Sequence, residues 1–352
     1  MPAREPEGVP LNALARWMDD NGLGRGPITN VAVITGGTQN ILVRFERHGR
    51  SYVLRRPPLH KRPNSDETMR RETRVLSALR TTHVPHPALI ASCGDDEMLG
   101  AAFYLMEPVD GFNASEGVTD VVAGDYRYQR HMGLAMVDAI ARLAQLDVDA
   151  TGLAGLGRGE GWIGRQVERW RGQLDGYGPL GDDGGTLLPS VDRITAWLTA
   201  HEPGLGRVGL MHGDFHFGNV LFHRSEPRIA AVIDWELATV GDPLLDLGHL
   251  LATWPRRGRG GLTARPNLPG LPCLEDLITR YVGQTGRDIG DVRWFHVLAC
   301  FRLAVIIEGS YARAFAGKAP IELGAAAHSG AKALMDQAVD TVVGEPRGAS
   351  LP

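Results

Sequence analysis

The sequence predicts an α+β chain of two lobes, a small antiparallel sheet with one helix followed by a larger, mostly helical part. Three observations carry this expectation. Residues 30–58 hold three β runs joined by tight turns. One amphipathic helix follows them. Beyond residue 110 the apolar period changes from two residues to about 3.6. A chain of 352 residues is long enough for two domain-sized units.

The elements can be justified in order. NVAVITGG and NILVRFERHG flank a Gly-Gly turn, and RSYVLRRPP follows a second turn at His48-Gly49. Three consecutive strands so joined form an antiparallel meander. Pro57-Pro58 ends the third strand. From Asp66 to Arg80, Met69, Leu76 and Leu79 share one helical face. PALI and AFYLME add two strands, so the first lobe has five strands and one helix. We place it at residues 1–107, with a hinge at 108–112 and the second lobe at 113–352. In the second lobe, Met132, Met136, Ala139, Ile140, Leu143 and Leu146 mark a long helix. Two short strands are expected at Val220–Phe222 and Ile229–Ile233, and mostly helix from Asp242 onward. The stretches 176–186 and 256–270 read as loops, and the C-terminal GEPRGASLP as frayed.

Composition narrows the function classes. A formal net charge of −4 argues against a general nucleic-acid binder. Cys93, Cys273 and Cys300 lack C-x-x-C spacing and read as reduced thiols. MPAREPEGVP has no apolar signal core, and the most apolar run, LACFRLAVIIEG, is broken by Arg302. A cytoplasmic protein with no membrane or nucleic-acid partner is expected. Lys61, Lys318 and Lys332 are the only lysines, so any cationic role falls mainly to arginine.

The chemistry concentrates in MHGDFHFGNV and AAVIDW. Asn219 opens one short apolar strand, and Asp234 closes the next, so two strand ends can present both to one point. An amide oxygen and a carboxylate are hard ligands suited to Mg²⁺. Asp214, on the loop before them, is free to meet and deprotonate a substrate hydroxyl.

HGDFHFGN has the H-x-D-x-x-x-x-N layout of kinase catalytic loops, and IDWE stands where protein kinases carry D-F-G. With GDPLLDL following, the chain resembles the aminoglycoside phosphotransferase and choline kinase-like family over about residues 28–345. VLRRPP and FRLAVIIEGSYARAFAG further resemble the kinase-like domain fused to certain acyl-CoA dehydrogenases and its free-standing bacterial relatives. The resemblance implies a two-lobed protein kinase-like fold and a Mg²⁺-dependent transfer of the γ-phosphoryl of ATP, or GTP, to a small-molecule hydroxyl. It implies Asp214 as base and Asn219 and Asp234 as metal ligands. It implies His212 and Asp246 as supports of the loop, and His216, beside Asp214, is a candidate substrate contact. Asp242, before Pro243, reads as a helix cap.

The same pattern implies a nucleotide side in the first lobe. Kinases use a strand cation paired with a helix glutamate. Here the strand position holds Arg55 rather than lysine, with Arg56 as runner-up on the opposite face. Glu72 shares the buried face of its helix, where an acid wants a cation. The loop Gly36, Gly37, Thr38, Gln39, Asn40 can approach phosphates or simply turn a hairpin. FYLMEPVDG reads as the hinge. Glu107 C=O and Val109 N–H would meet adenine there, and Met106 would line the wall.

The acceptor is expected to be neutral or anionic. Residues 255–318 carry five acids against nine arginines and Lys318, a net of +5. Arg302 and Arg313 lie in the segment resembling the dehydrogenase-linked domain. An electropositive rim attracts anions and repels polycations, which favours a hydroxy acid or hydroxyacyl thioester over an aminoglycoside or amino alcohol. Two other classes are weighed: a non-catalytic nucleotide-binding module, and a metal-dependent hydrolase using His212, Asp214 and His216.

Overall fold

Short β runs separated by turns, with one helix between the third and fourth, build the sheet of the first lobe in a computed structural model. It describes residues 5–34, 40–157, 161–178, 180, 188–204, 206–255 and 268–344. The chain opens with helix α1 (Leu11–Asp20), then strands β1 (Thr29–Ile34), β2 (Ile41–Arg47) and β3 (Arg50–Arg56). Helix α2 (Ser65–Leu79) precedes β4 (Leu89–Cys93) and β5 (Phe103–Met106). The five strands form one sheet in the order β1-β2-β3-β5-β4, with every pairing antiparallel. Helix α1 is an element that the sequence reading passed over. Its Leu14, Trp17 and Met18 are buried at helical spacing.

The two faces of the sheet do different work, because successive strand residues point to opposite sides. Val43, Phe45, Tyr52, Leu54, Phe103 and Leu105 pack with α1 in a small core. Arg47 and Arg56 also lie on this side. Arg47 bonds Ala15 O, Gly26 O and Asp19, and Arg56 donates to Gly8 O and Leu99 O. Val53, Arg55, Tyr104 and Met106 have the other parity and look toward α2 and the nucleotide side. On α2, Met69, Val75, Leu76 and Leu79 join the larger core of the second lobe. The expected opposition of Arg55 and Arg56 is therefore what the strand delivers.

The second lobe adds α3 (Asp120–Gly124), α4 (Tyr126–Ala144), α5 (Gly164–Asp175) and α6 (Val191–Ala200). Asp125 caps α4 by accepting from the N–H groups of Arg127 and Tyr128. Four short strands follow: β6 (Gly209–Met211), β7 (Val220–Phe222), β8 (Ile229–Val232) and β9 (Thr239–Gly241). They pair as β6-β9 and β7-β8. Neither β6 nor β9 was expected, because three-residue strands carry almost no period. Then come α7 (Leu244–Thr253), α8 (Leu274–Thr285), α9 (Val292–Phe315) and α10 (Ile321–Val343). Asp242 lies one residue before Pro243, the N-cap of α7, rather than at the cap itself; its side chain still accepts from Leu244 N–H, and Arg287 also binds it. The expected loop at 256–270 and the frayed tail lie largely outside the described residues.

Helix α9 is long and apolar enough to cross a membrane by length and composition, yet 67% of its most apolar window is buried in the protein. It packs against α7 through Gly248. A Cβ there would lie 2.6 Å from the backbone C and O of Phe295. Since α7 carries Asp246 and α9 carries Arg302, this crossing sets their spacing. Gly248→Ala should lower the unfolding free energy by ~1–3 kcal/mol, as overpacking does. The urea midpoint reads this out, and an unchanged midpoint would mean the helices can separate at no cost.

Candidate active site

The loop between β6 and β7 is held from beneath. Asp246, fully buried at the start of α7, accepts from His212 N–H at 2.6 Å and Gly213 N–H at 2.8 Å. Gly213 has φ +82°, and a Cβ on it would lie 2.5 Å from Leu237 O, so the turn needs glycine. Nε2 of His212 lies 2.9 Å from Ile233 O, while its Nδ1 accepts from Asp214 N–H at 3.3 Å. His212 thus connects the loop to the segment that carries Asp234.

Pairing of Val220 with Val232 brings the two strand ends together. Ile233 N–H donates to Asn219 O at 2.9 Å, so Asn219 and Asp234 are neighbours across the ladder end. The strands are shorter than expected. Asn219 ends a 3₁₀ turn before β7, and Asp234 lies two residues beyond β8. Asp234 is left-handed at φ +66°, a conformation that costs a non-glycine residue energy and persists where its surroundings impose it.

Asp214 is flanked on both oxygens. Asn219 Nδ2 donates to its Oδ2 at 3.1 Å and to its backbone O at 2.9 Å. This leaves the Asn219 amide oxygen for any cation. His216 Nε2 stands 3.5 Å from Oδ2, and His249 Nε2 3.2 Å from Oδ1. The His249 contact is close but poorly aligned, since neither ring nitrogen makes a hydrogen bond. Burial works to raise the Asp214 carboxyl, but His216 and His249 hold it well below the usual carboxylate range. Burial drives His249 down to about 4, so it is neutral near pH 7. Sequence reasoning missed His249. The signal was its position three residues after Asp246 on one helix, GHLL being read only as apolar.

On the nucleotide side, the structure brings Arg55 and Glu72 together. Arg55 Nη2 lies 3.0 Å from Glu72 Oε1 and 2.5 Å from Asp234 Oδ1, with Glu236 at 3.9 Å. Tyr104, opposite Arg55 in the sheet, donates to Glu72 at 2.9 Å. Burial pushes the Glu72 carboxyl up to about 7. Arg55 opposes this, and Asp234 and Glu236 add to it. Burial weighs against the charge of Arg55, but Glu72, then Tyr104 and Asp234, hold its pKa above the ordinary value. Glu236 and Tyr104 are further residues that the sequence reading did not single out. Carboxylate oxygens of Glu72, Asp234 and Glu236 lie within 4.8 Å of one another, around one arginine. That excess of hard anionic oxygen fits a divalent cation.

A cavity of about 710 Å³ joins these groups to the interlobe connection. Arg55, Asn219 and Asp234 line one end, and Met106, Glu107 and Val109 the other. Its volume lies within the range of small-molecule sites. Asn40 reaches Glu236 at 3.5 Å. Gly36, Gly37, Thr38 and Gln39 lie outside the described residues.

Among the described residues of the basic rim expected from residues 255–318, three arginines are engaged in holding structure. Arg280 pairs with Asp138 and Arg287 with Asp242, while Arg293 donates to Thr341 O. Arg256, Arg257, Arg259 and Arg265 lie outside the described residues. Arg313 is exposed, bonds Ser310, and sits eleven residues beyond Arg302, about 16 Å along the helix. The structure does not bring Arg313 to Asp214. Arg302, by contrast, is buried and within electrostatic range of Asp214 and Asp246.

Comparison with known proteins agrees with this geometry. Residues 30–266 match the family model described as a phosphotransferase enzyme family. Acyl-CoA dehydrogenase family member 11 of Gallus gallus is 30% identical over 302 residues, covering 83% of this chain and 38% of that protein. Family member 10 of Mus musculus is 29% identical over 329 residues, covering 90% and 30%. The chain therefore spans well under half the length of these relatives. A solved structure from Ralstonia eutropha, classed with the aminoglycoside phosphotransferases, superposes with a TM-score of 0.74 at 29% identity, covering 94% of this chain and 98% of that one. Aminoglycoside phosphotransferase APH(4)-Ia, solved with AMP-PNP and hygromycin B, shares the fold at 16% identity and a TM-score of 0.60, covering 92% and 98%. The chain has the kinase-like fold of these structures and belongs to the phosphotransferase enzyme family.

Proposed function

We propose that this protein is a Mg²⁺-dependent small-molecule kinase that transfers the γ-phosphoryl of ATP, or GTP, to a hydroxyl of a neutral or anionic acceptor. One observation carries the reading. A single cavity is lined by the interlobe segment Met106–Val109 together with Arg55, Asn219 and Asp234, and Asp214, just behind its lining, accepts a hydrogen bond from Asn219. That is the order of parts a nucleotide and its acceptor require.

Each residue then has a task. Glu107 C=O and Val109 N–H hold the nucleobase against Met106. Arg55, fixed by Glu72 and Tyr104, meets the phosphates, as arginine donates to phosphate in a fork. Asn219 and Asp234 would hold Mg²⁺, whose charge neutralises the developing negative charge on the phosphates. For Asp234 this means turning from Arg55. Asp214 orients the acceptor hydroxyl. It takes the proton as the new P–O bond forms and the bond to the departing nucleoside diphosphate breaks. Its depressed basicity suits a loose transition state, in which positioning matters more than early deprotonation. His212 and Asp246 keep the loop in place.

Two variants test this. Asp214→Ala should cut kcat by ~10²–10⁴, the usual worth of general acid–base catalysis, while calorimetric nucleotide binding persists. Asp234→Ala should instead abolish the response of turnover to added Mg²⁺. An Asp214→Ala enzyme with full turnover would sink the assignment, and wild-type nucleotide binding without transfer to any acceptor would favour a binding module. Arg55→Ala should raise the nucleotide KM and lower kcat. In a double-mutant cycle with Glu72→Ala, the pair should couple by roughly 0.5–3 kcal/mol. Strict additivity would show that Arg55 does not act through Glu72. Across an acceptor panel, hydroxy acids or their thioesters should be phosphorylated ahead of kanamycin-type polycations. Low-micromolar KM for the polycations with inert hydroxy acids would reverse that preference.

A further inference from the structure

Helix α2 carries Glu72, and the segment after β8 carries Asp234 and Glu236, so these two elements have to stay in register across the lobes. Arg71, one residue before Glu72, is half-buried and joins them directly. Its Nη2 donates to Ala238 O at 3.1 Å and to Leu156 O at 3.4 Å. Among the described residues it is the one side chain of α2 with a hydrogen bond to the second lobe. Both acceptors sit in a tightly packed unit, and Ala238 and Leu156 are each 2% exposed. Ala238 closes the 3₁₀ turn Trp235–Leu237, which begins directly after Asp234, and its N–H donates to Trp235 O at 3.0 Å. Leu156 O also accepts from Thr239 Oγ1 at 3.4 Å. A Cβ on Gly157 would lie 2.5 Å from Val240 O, so this stretch lies flat on β9.

Residues 234–239 therefore have two arginine ties to the first lobe. Arg55 holds the Asp234 carboxylate at one end, and Arg71 holds the Ala238 carbonyl at the other. Pro85 O also accepts from Val232 N–H at 2.9 Å, but that contact lies before Asp234 in the chain and does not reach the 3₁₀ turn. The two ties answer differently to a metal. Arg55 and a divalent cation compete for the same carboxylate, because both are positive and the oxygens are hard ligands. The bond from Arg71 uses a neutral carbonyl four residues further on. When Asp234 turns from Arg55, the first tie is given up and the second stays.

We propose that Arg71 is a positioning residue, a latch between the lobes that keeps Glu72 and the Asp234 segment in register while Asp234 leaves Arg55 for the metal. The proposal rests on the phosphotransfer reading above and says which state of the site depends on the latch. Before the metal binds, Arg55 and Arg71 both hold the segment, so either can stand in for the other. Afterwards Arg71 is the remaining arginine tie. Its loss therefore falls on the metal-loaded state, on kcat and on the Mg²⁺ requirement, and spares the affinity for free nucleotide. The same segment braces the catalytic loop, since Leu237 O lies where a Cβ on Gly213 would be. A slipped register would thus reach Asp214 as well as Asp234.

Arg71→Met tests this, because it keeps the stem and removes the donors. Its kcat should fall ~10–100-fold, the worth of a hydrogen bond from a charged group. The Mg²⁺ concentration for half-maximal activity should rise, while calorimetric binding of ADP without Mg²⁺ stays near the wild-type value. Arg71→Lys, whose ammonium has three donors, should recover most of kcat. Arg71→Gln, too short to reach both carbonyls, serves if the methionine variant folds poorly. Wild-type kcat and Mg²⁺ requirement in Arg71→Met, a loss of ADP affinity as large as the loss in kcat, or a lysine variant as impaired as the methionine one would overturn the latch. Hydrogen exchange supplies a readout without catalysis. Asp234→Ala mimics the state in which Arg55 has let go. Adding Arg71→Met to it should speed exchange of the amides of residues 235–239 by more than Arg71→Met does in the wild-type background, as coupled sites behave. Equal effects in the two backgrounds would also overturn the latch. If the wild type transfers no phosphate while this coupling is seen, the latch stands and the phosphotransfer reading fails.

Discussion

The buried guanidinium of Arg55 is the contact on which the arrangement of the site depends. It draws Glu72 from α2, Asp234 from the segment after β8 and, more distantly, Glu236 to one point. Two of these acids come from different lobes, so the same charge that would meet phosphate also fixes one lobe against the other. The desolvation involved is large, and a buried ion pair by itself is weak evidence of stability. What offsets it is the number of charged partners around Nη2, although Nε of Arg55 has no hydrogen-bond partner among the described residues. Tyr104 supplies a further donor to Glu72, from the position opposite Arg55 in the sheet. The parity of β3 makes this possible. Arg55 and Arg56 are adjacent, yet one faces the acids and the other faces the carbonyls of Gly8 and Leu99.

A second constraint acts on the other side of the cavity. Asp246 spends its whole carboxylate on two backbone N–H groups, and His212 ties the same loop to Ile233. The loop can then hold Asp214 among the side chains of Asn219, His216 and His249. His249 is neutral near pH 7, and Asn219 is an amide. Asp214 is held well below the usual carboxylate range by His216 and His249 against the opposing effect of burial. The strained backbone of Asp234 belongs to the same logic, because the chain must turn sharply after β8 to aim a carboxylate at Arg55.

Much of this was legible in the sequence, for identifiable reasons. The meander was readable because three β runs follow one another across tight turns; β2 alternates in burial, whereas β3 is buried on both faces. Glu72 was readable because an acid on an apolar helical face demands a partner. Asp214, Asn219 and Asp234 were readable as a spaced set. The short strands β6 and β9 were not, since three residues show no period and their pairing is set by long-range contacts. Helix α1 was within reach, with Leu14, Trp17 and Met18 correctly spaced, but its ten residues carry only that one apolar patch. His249 was hidden for a different reason. In sequence a buried polar side chain among leucines looks like a core residue, and only the fold reveals whether it has a partner.

The same limit governs charge. A net of +5 over residues 255–318 suggested an electropositive rim, yet summed charge says nothing about pairing. Arg280, Arg287 and Arg293 are used to hold helices, ends and turns together. Arg313 faces solvent. What distinguishes Arg302 is the reverse of a surface field: it is buried, on an otherwise apolar stretch of α9, and its Nη1 has no hydrogen-bond partner among the described residues. A surface cluster would influence mainly the rate of encounter and would be screened by salt. The close crossing of α7 and α9 at Gly248 sets the position of Arg302 relative to Asp246.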